Sequence, residues 1–328
     1  MKDVVALGEL LIDFTPLSDN EDGYPQFSAH PGGAPANFLA AIARFGGTAA
    51  FLGKVGDDAF GHRLVRTLSE AGIDTSAMVI DRDAFTTLAF VTLSENGDRD
   101  FSFARKPGAD TRLLLSEVDL SVIDESRVLH FGTLSLTDEP ARSTTREVVR
   151  YAREHGKILS CDPNLRLPLW DSPERAREAI RWSLGNADIV KLSDEEVRFL
   201  LEKDVPPEEG AELIMDLFPV KLCFVTCGPE GAVFRNQNGS GRVPALSGVR
   251  PVDTTGAGDI FGGSAMWKFL SMKKAPEALS VSEMRKIALF ASAAAGLSTE
   301  KYGGIPSVPA LSDAEVAASP ATTTGRHR

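Results

Sequence analysis

Residues 31–55 read PGGAPANFLAAIARFGGTAAFLGKV, and the fold class turns on them. Pro31 to Asn37 is glycine-rich, as a turn requires. Phe38, Leu39, Ile42 and Phe45 then recur at helical spacing until Gly46-Gly47 stops the helix. Ala49 to Val55 follows as an apolar run of strand length. Upstream, Val4 to Asp13 reads as one buried strand ending in polar residues. Downstream the alternation repeats: helix Ala59 to Ala71, strand Val128 to Phe131, helix Glu139 to Glu154 and strand Ile158 to Asp162. Strand Ile189 to Leu192, helix Asp194 to Leu201 and strand Leu222 to Thr226 come next. A strand hairpin across Asn236 to Gly241 precedes a helix opening at Gly258 and another from Ser282 to Thr299. Alternating strands and helices predict an α/β chain with a mostly parallel sheet covered on both faces.

One region breaks the alternation. Leu88 to Leu93 and Asp100 to Arg105 are strand-like, and Asn96-Gly97 between them supplies the positive φ angles of a tight hairpin turn. Phe101 and Phe103 fall on one face of that hairpin. With the extended stretch Gln26 to Ala29 it predicts a small projecting sheet, read either as a lid or dimer contact or as a plain edge hairpin.

The chain has 328 residues and a formal charge of -11, so nucleic acid and anionic lipid would on average repel it. An anionic substrate needs a local positive site. Cys161, Cys223 and Cys227 are an odd number without a CxxC pair and lie in or beside apolar runs, which favours reduced, buried thiols. No signal-like segment opens the chain and no apolar run reaches membrane-spanning length, so a soluble cytoplasmic enzyme is expected. Neither GxxxxGK[ST] nor GxGxxG after the first strand occurs, which argues against P-loop and dinucleotide cradles. The five histidines have no ligand-like spacing. Ser319 to Arg328 has no apolar period and is expected to fray.

Residues 253–263, DTTGAGDIFGG, carry the chemistry. Asp253 closes a strand-like run, Gly256, Ala257 and Gly258 permit a tight turn, and Asp259 enters a helix whose apolar face includes Phe261, Ala265 and Phe269. A helix start with exposed amides and small side chains is an anion site, with Asp259 beside the anion. A first-turn acid that merely favours the helix dipole is the competing reading. Arg166 follows a buried-strand pattern and so stands at a strand's C-terminal end, where open α/β sheets bind ligands.

Together with PGGAPANFLAAIARFGG at Pro31, DTTGAGDIFGG resembles the paired signatures of the PfkB, or ribokinase-like, family of carbohydrate kinases. The resemblance runs from about Val4 to Pro309. Within the family it is nearest the fructokinases, through GELLIDF at Gly8, GKVGDDAFG at Gly53 and DPNLRLPLW at Asp162. It implies a three-layer α/β/α ribokinase-like domain over residues 1–312. A small β-lid from about 14–30 and 85–106 is inserted in it, and residues 313–328 form a partly disordered tail.

The resemblance makes Asp259 the base for the attacking sugar hydroxyl, with the amides of Gly256, Ala257 and Gly258 as an anion hole. It places the sugar against Asp13, Gly32, Gly33 and Asn37, with Arg166 approaching the substrate or the phosphate being transferred and Phe103 and Arg105 contributed by the lid. Asn37 as a plain helix-entry residue, glycines that only turn, and Arg105 as an exposed edge residue are the alternatives. For ATP the matching positions are Lys191, Ser193 and Glu196, then Thr226, Gly228 and Gly231. Ser193 stands where the family has asparagine, so this position offers a hydroxyl in place of a side-chain amide. Mg²⁺ would ride mainly on nucleotide phosphates and water. Asp253, Thr255, Ser298, Lys301, Gly303 and Ser307 fall at a loop that holds a monovalent cation, K⁺, in related kinases. The implied reaction is phosphorylation of D-fructose at O6 by ATP, with a homodimer formed through the lid. 2-Keto-3-deoxygluconate or ribose are alternative acceptors. A non-catalytic sugar-sensing or assembly protein is the alternative of another class.

Overall fold

The structure is a computed structural model and describes residues 1–93 and 99–319. The Asn96-Gly97 turn and the tail from residue 320 lie outside the described residues, as does the side chain of Phe101. Strands in the first half are β1 Lys2–Leu7, β2 Leu11–Pro16, β3 Phe27–Gly32, β4 Ala49–Gly56, β5 Ile73–Asp74, β6 Met78–Asp81, β7 Leu88–Leu93 and β8 Arg99–Ala104. Those in the second are β9 Ser126–Phe131, β10 Ile158–Cys161, β11 Ile189–Ser193, β12 Leu222–Thr226, β13 Ala232–Asn236 and β14 Gly239–Val243. Helices are α1 Ala34–Arg44, α2 Ala59–Glu70, α3 Ser121–Asp124, α4 Ala141–Glu154 and α5 Pro173–Leu184. They continue with α6 Asp194–Leu201, α7 Pro207–Leu217, α8 Ala257–Met272, α9 Val281–Ser298 and α10 Leu311–Ala318.

The larger sheet has ten strands in the order β14-β13-β12-β11-β10-β9-β1-β4-β5, with β6 also paired to β4. Its pairs from β4 through β1, β9, β10 and β11 to β12 are parallel, and β13 and β14 close one edge antiparallel. Alternate residues of β1 feed opposite layers. Val4 and Ala6 belong to the same hydrophobic core as Phe38 and Leu39 of α1, Phe261 of α8 and Phe290 of α9. Val5 and Leu7 belong to the same hydrophobic core as Val148 of α4, Ile180 of α5, Val197 of α6 and Ile214 of α7. A strand covered on both faces must be apolar throughout, which is why Val4 to Leu7 shows no polar alternation.

The expected single strand Val4 to Asp13 is two. The chain leaves the main sheet after Leu7, and β2 enters a separate four-stranded sheet, β3-β2-β7-β8, pairing antiparallel with β3 and parallel with β7. The apolar run hid the break because Leu10, Leu11 and Ile12 are themselves buried. Gly8 marks the crossing, where a Cβ would meet Cγ of Pro35 at 2.6 Å. The small sheet is knit by aromatic rings: Phe14 stacks on Phe90 at 5.0 Å, and Phe27 stands edge-on to both.

At the other end, the 312/313 boundary falls inside α10, whose Ala314 is buried in the core. The packed chain therefore continues to Ala318, and residues 313–318 are helix rather than tail. Among the described residues no helix is long and apolar enough to cross a membrane.

Candidate active site

Residues that follow β1, β10, β11 and β12 line one cleft of about 520 Å³, at the carboxyl ends of the parallel strands. Its wall includes Glu9, Asp13, Gly33, Asn37, Phe103, Arg166, Lys191, Ser193, Glu196, Thr226, Gly228, Gly256, Gly258 and Asp259. Both signatures thus arrive at the same place. The close packing of α1 on α8 explains how: a Cβ at Gly263 would lie 2.1 Å from the Phe38 carbonyl oxygen, so only glycine lets the helices approach.

Asp259 sits in the first turn of α8, partly open to the cleft. Asn37 Nδ2 donates to its Oδ2 at 2.9 Å, joining the two signatures directly. Burial pushes the Asp259 carboxyl up from its ordinary range, against the opposing pull of Lys191, Asn37 and Arg166. The helix opens at Gly256, whose φ of 76° is left-handed, and no side chain caps it. Ala257 differs from its two neighbours, because its amide donates to the Thr254 carbonyl at 3.2 Å to close the turn. Gly256 and Gly258, on either side of it, line the cleft.

In the same cleft, burial raises Asp13 to about 7, with Arg166 pulling it down and Asp259 and Asp253 adding like charge. Gly32 serves Asp13 rather than the cleft itself: a Cβ there would lie 2.0 Å from Asp13 Oδ2. Gly33 has φ of 115°, and its Cβ would strike the Glu9 carbonyl at 2.5 Å. Glu9 was not anticipated. It is 2% exposed, and its carboxylate accepts the Ala34 amide at 3.0 Å, doing for α1 what Gly33 as N-cap cannot. Burial raises it to about 7, opposed by hydrogen bonds from its own and the Ala34 amide and by Arg105. A charged residue inside an apolar run was the available signal.

Arg105 is corrected. It is 5% exposed and lies outside the cleft wall, its guanidinium spent on Asp110 Oδ2 at 2.7 and 2.9 Å, Thr137 at 2.8 Å and the Leu134 carbonyl at 2.8 Å. A desolvated guanidinium needs its charge matched and its donors filled, and Asp110 with Thr137 does both. Phe103 is the lid residue that does reach the cleft.

Ser193 caps α6 with its hydroxyl, accepting the Glu196 amide at 3.1 Å, while Glu196 Oε2 accepts the Ser193 amide at 2.7 Å. Glu196 Oε1 takes the Leu165 amide at 2.8 Å, tying the loop that carries Arg166 to α6. Lys191 Nζ donates to Asp162 Oδ2 at 2.8 Å. A second, mostly apolar cleft of about 440 Å³ adjoins the first and shares Thr226, Gly228, Thr254 and Gly258 with it. Gly231 and Ala257 belong to this cleft, together with Leu246, Val249, Phe261, Ala295 and Gly296, which no motif announces.

The residues expected at a cation loop come from two segments that hydrogen bonds join just before α8. Asp253 accepts the Thr255 and Gly303 amides at 2.9 Å each, and the Val252 and Asp253 amides reach the Thr299 carbonyl. Ser298 and Ser307 are buried with hydroxyls turned to the Ala295 and Gly304 carbonyls, while Lys301 is exposed.

The pfkB family carbohydrate kinase model matches residues 1–311. Fructokinase-2 of Zea mays is 42% identical over 317 residues, covering 95% of this chain and 92% of its own. Fructokinase from Xylella fastidiosa with bound ATP superposes with a TM-score of 0.84 at 30% identity, covering 97% of this chain and 98% of that one. A double mutant of fructokinase from Vibrio cholerae O395, with fructose, ADP and a potassium ion bound, gives 0.85 at 32% identity, with 97% and 99% covered. A match over nearly the whole chain, with both signatures converging on one cleft, places this protein in the pfkB family of carbohydrate kinases.

Proposed function

We infer that the protein is an ATP-dependent fructokinase, transferring the γ-phosphoryl group of ATP to a hydroxyl of D-fructose. The observation that carries the reading is Asp259: a carboxylate held by Asn37 at an uncapped helix start, sharing with Asp13 a cleft that adjoins an apolar one. Fructose lies between Asp13, Gly33, Asn37, Phe103 and Arg166. The base of ATP occupies the apolar cleft around Leu246, Val249 and Ala295, and its phosphates run past Thr226 and Gly228 towards Gly256.

Asp259 takes the hydroxyl proton as the sugar oxygen bonds to the γ-phosphorus and the bridging oxygen leaves with ADP. The Gly256 and Gly258 amides meet the charge on the transferring group, and general-base assistance is worth about 10² to 10⁴ in rate. Among the described residues no three His, Cys, Asp or Glu side chains are grouped to hold a metal. Mg²⁺ would accordingly ride on the phosphates and water, with the cleft-facing Glu196 orienting that water, and would neutralise phosphate charge.

ADP release with fructose tests the reading, in the protein as it stands and in Asp259→Asn. Loss of turnover in the variant, with sugar binding retained, supports it; equal activity in both would refute the base. A neutral hexose is favoured over 2-keto-3-deoxygluconate, because Arg105, the lid cation such an acid would use, is buried against Asp110. The loop of Asp253, Thr255, Ser298, Lys301, Gly303 and Ser307 is assigned to K⁺, and equal turnover in K⁺ and tetramethylammonium would remove that assignment. Exposed Leu17, Tyr24 and Phe27 on the lid side offer a face to a second copy of the chain, which sedimentation would detect.

A further inference from the structure

Lys191 stands on β11 with its side chain 12% exposed and its ammonium 2.8 Å from Asp162 Oδ2. The same nitrogen lies 3.1 Å from where a Cβ on Gly258 would be, directly beneath the first turn of α8. Lys191 lines the cleft and also a small adjoining void of about 20 Å³ shared with Asp162, His130 and Ser160. A Gly258 side chain would press on the ammonium, and that glycine immediately precedes Asp259.

The charges around the cleft are unbalanced. Asp259 acts as a like charge on Asp13 and Asp162, and Glu196 does so on Asp162 and Asp259, with Lys191 and Arg166 as the cations that oppose them at Asp259. Asp253 adds to the negative side at Asp13. His130 adds no charge, because burial and Lys191 push it down to about 3. Burial also lowers Lys191, yet Asp162, Glu196 and Asp259 outweigh it and hold the ammonium charged. Among the groups that oppose burial at Asp259, Lys191 leads, ahead of Asn37 and Arg166. A buried carboxylate without such a neighbour takes up a proton, and a protonated carboxyl cannot act as a base.

We propose that Lys191 is a positioning residue for Asp259: fixed by Asp162 beneath the first turn of α8, its ammonium keeps the base ionised and ready to accept the sugar proton. The proposal rests on Asp259 being the base. It gives Lys191 a task directed at the sugar side of the reaction rather than at the nucleotide alone.

The test is the pH profile of kcat, from pH 5.5 to 9 at saturating fructose and MgATP, in the full chain. Lys191→Met moves the acid limb to higher pH by about one unit, an approximately tenfold loss at pH 6 that shrinks by pH 9. The KM for ATP changes less than about threefold, well under the tenfold that 1.4 kcal/mol would give. Asp162→Asn removes a carboxylate that both competes for the ammonium and repels Asp259, and the limb moves to lower pH. A merely structural pair would not produce shifts of opposite sign. An unshifted Lys191→Met profile, a uniform loss with a raised KM for ATP, or shifts of the same sign in both variants overturns the proposal. If circular dichroism shows Lys191→Met unfolded, Lys191→Gln and Lys191→Arg take its place: the limb moves to higher pH in the first and stays near the parent's in the second, and an unshifted limb in Lys191→Gln overturns the proposal. Asp259→Asn in the same assay separates the two ideas. Activity persisting there takes down the base and this proposal together, whereas an inactive Asp259→Asn with an unshifted Lys191→Met removes only the role of Lys191.

Discussion

Replacing Glu9 by Gln should make the protein progressively more stable than its parent as pH rises. Glu9 is 2% exposed, and its carboxyl is raised from 4.5 to about 7. Between those values the folded chain holds a proton that the unfolded chain has released, so the parent loses stability with rising pH. A shift of that size corresponds to about 3 kcal/mol once both states are ionised. Glutamine cannot ionise, yet its Oε1 can still accept the Ala34 amide that Glu9 takes at 3.0 Å. The new amide group adds a cost of its own where it faces the residue's own N–H, but that cost does not change with pH. The slope therefore decides the matter. Urea unfolding at pH 5 and pH 8 should show the variant gaining about 2 to 3 kcal/mol on the parent across that interval. Asp13 and Asp162 are also raised to about 7, but they are common to both proteins and cancel. A stability difference that stays constant across the interval, or one that falls with pH, would refute the reasoning.

Arg105→Ala should cost about 3 to 5 kcal/mol in urea unfolding, because it strands Asp110 as a buried unpaired charge, while the fructose KM of the folded fraction stays near that of the parent. Asp13, raised to about 7, should sharpen fructose binding as it ionises. Its KM is expected to fall by up to about tenfold between pH 6 and pH 8, and Asp13→Asn should flatten that dependence. Ala295→Trp fills the apolar cleft, so steady-state kinetics should show an ATP KM raised roughly tenfold or more with the fructose KM unmoved.

The layers of the main sheet could be read from the sequence because burial on both faces writes itself as apolar runs punctuated by glycine, as from Phe38 through Gly47 to Val55. The same property concealed the transfer from β1 to β2, since a run stays apolar whether it remains in one sheet or crosses to another. Asp259 and Asn37 were legible through their signatures, while the bond between them depends on how α1 and α8 pack. Arg105 misled for a related reason. An arginine at a strand end looks the same in sequence whether it points to a ligand or to Asp110, five residues on. The apolar cleft was invisible, because Leu246, Val249, Ala295 and Gly296 come from separate segments and each looks like ordinary core or loop. Glu9 could have been noticed, as a carboxylate amid Leu7, Leu10 and Leu11 needs a partner that the neighbouring letters do not supply.

The hydrogen bond between Asn37 and Asp259 spans 222 positions of chain. Contacts so remote in sequence close late, since a long loop must lose its freedom before the contact returns anything. During synthesis the sugar-side residues emerge well before the base does, and an incomplete chain ending before α8 has no carboxylate to receive a proton. Recovery of turnover after dilution from denaturant should accordingly lag behind recovery of helical signal. The enzyme's own activity thereby marks when its two distant halves have joined.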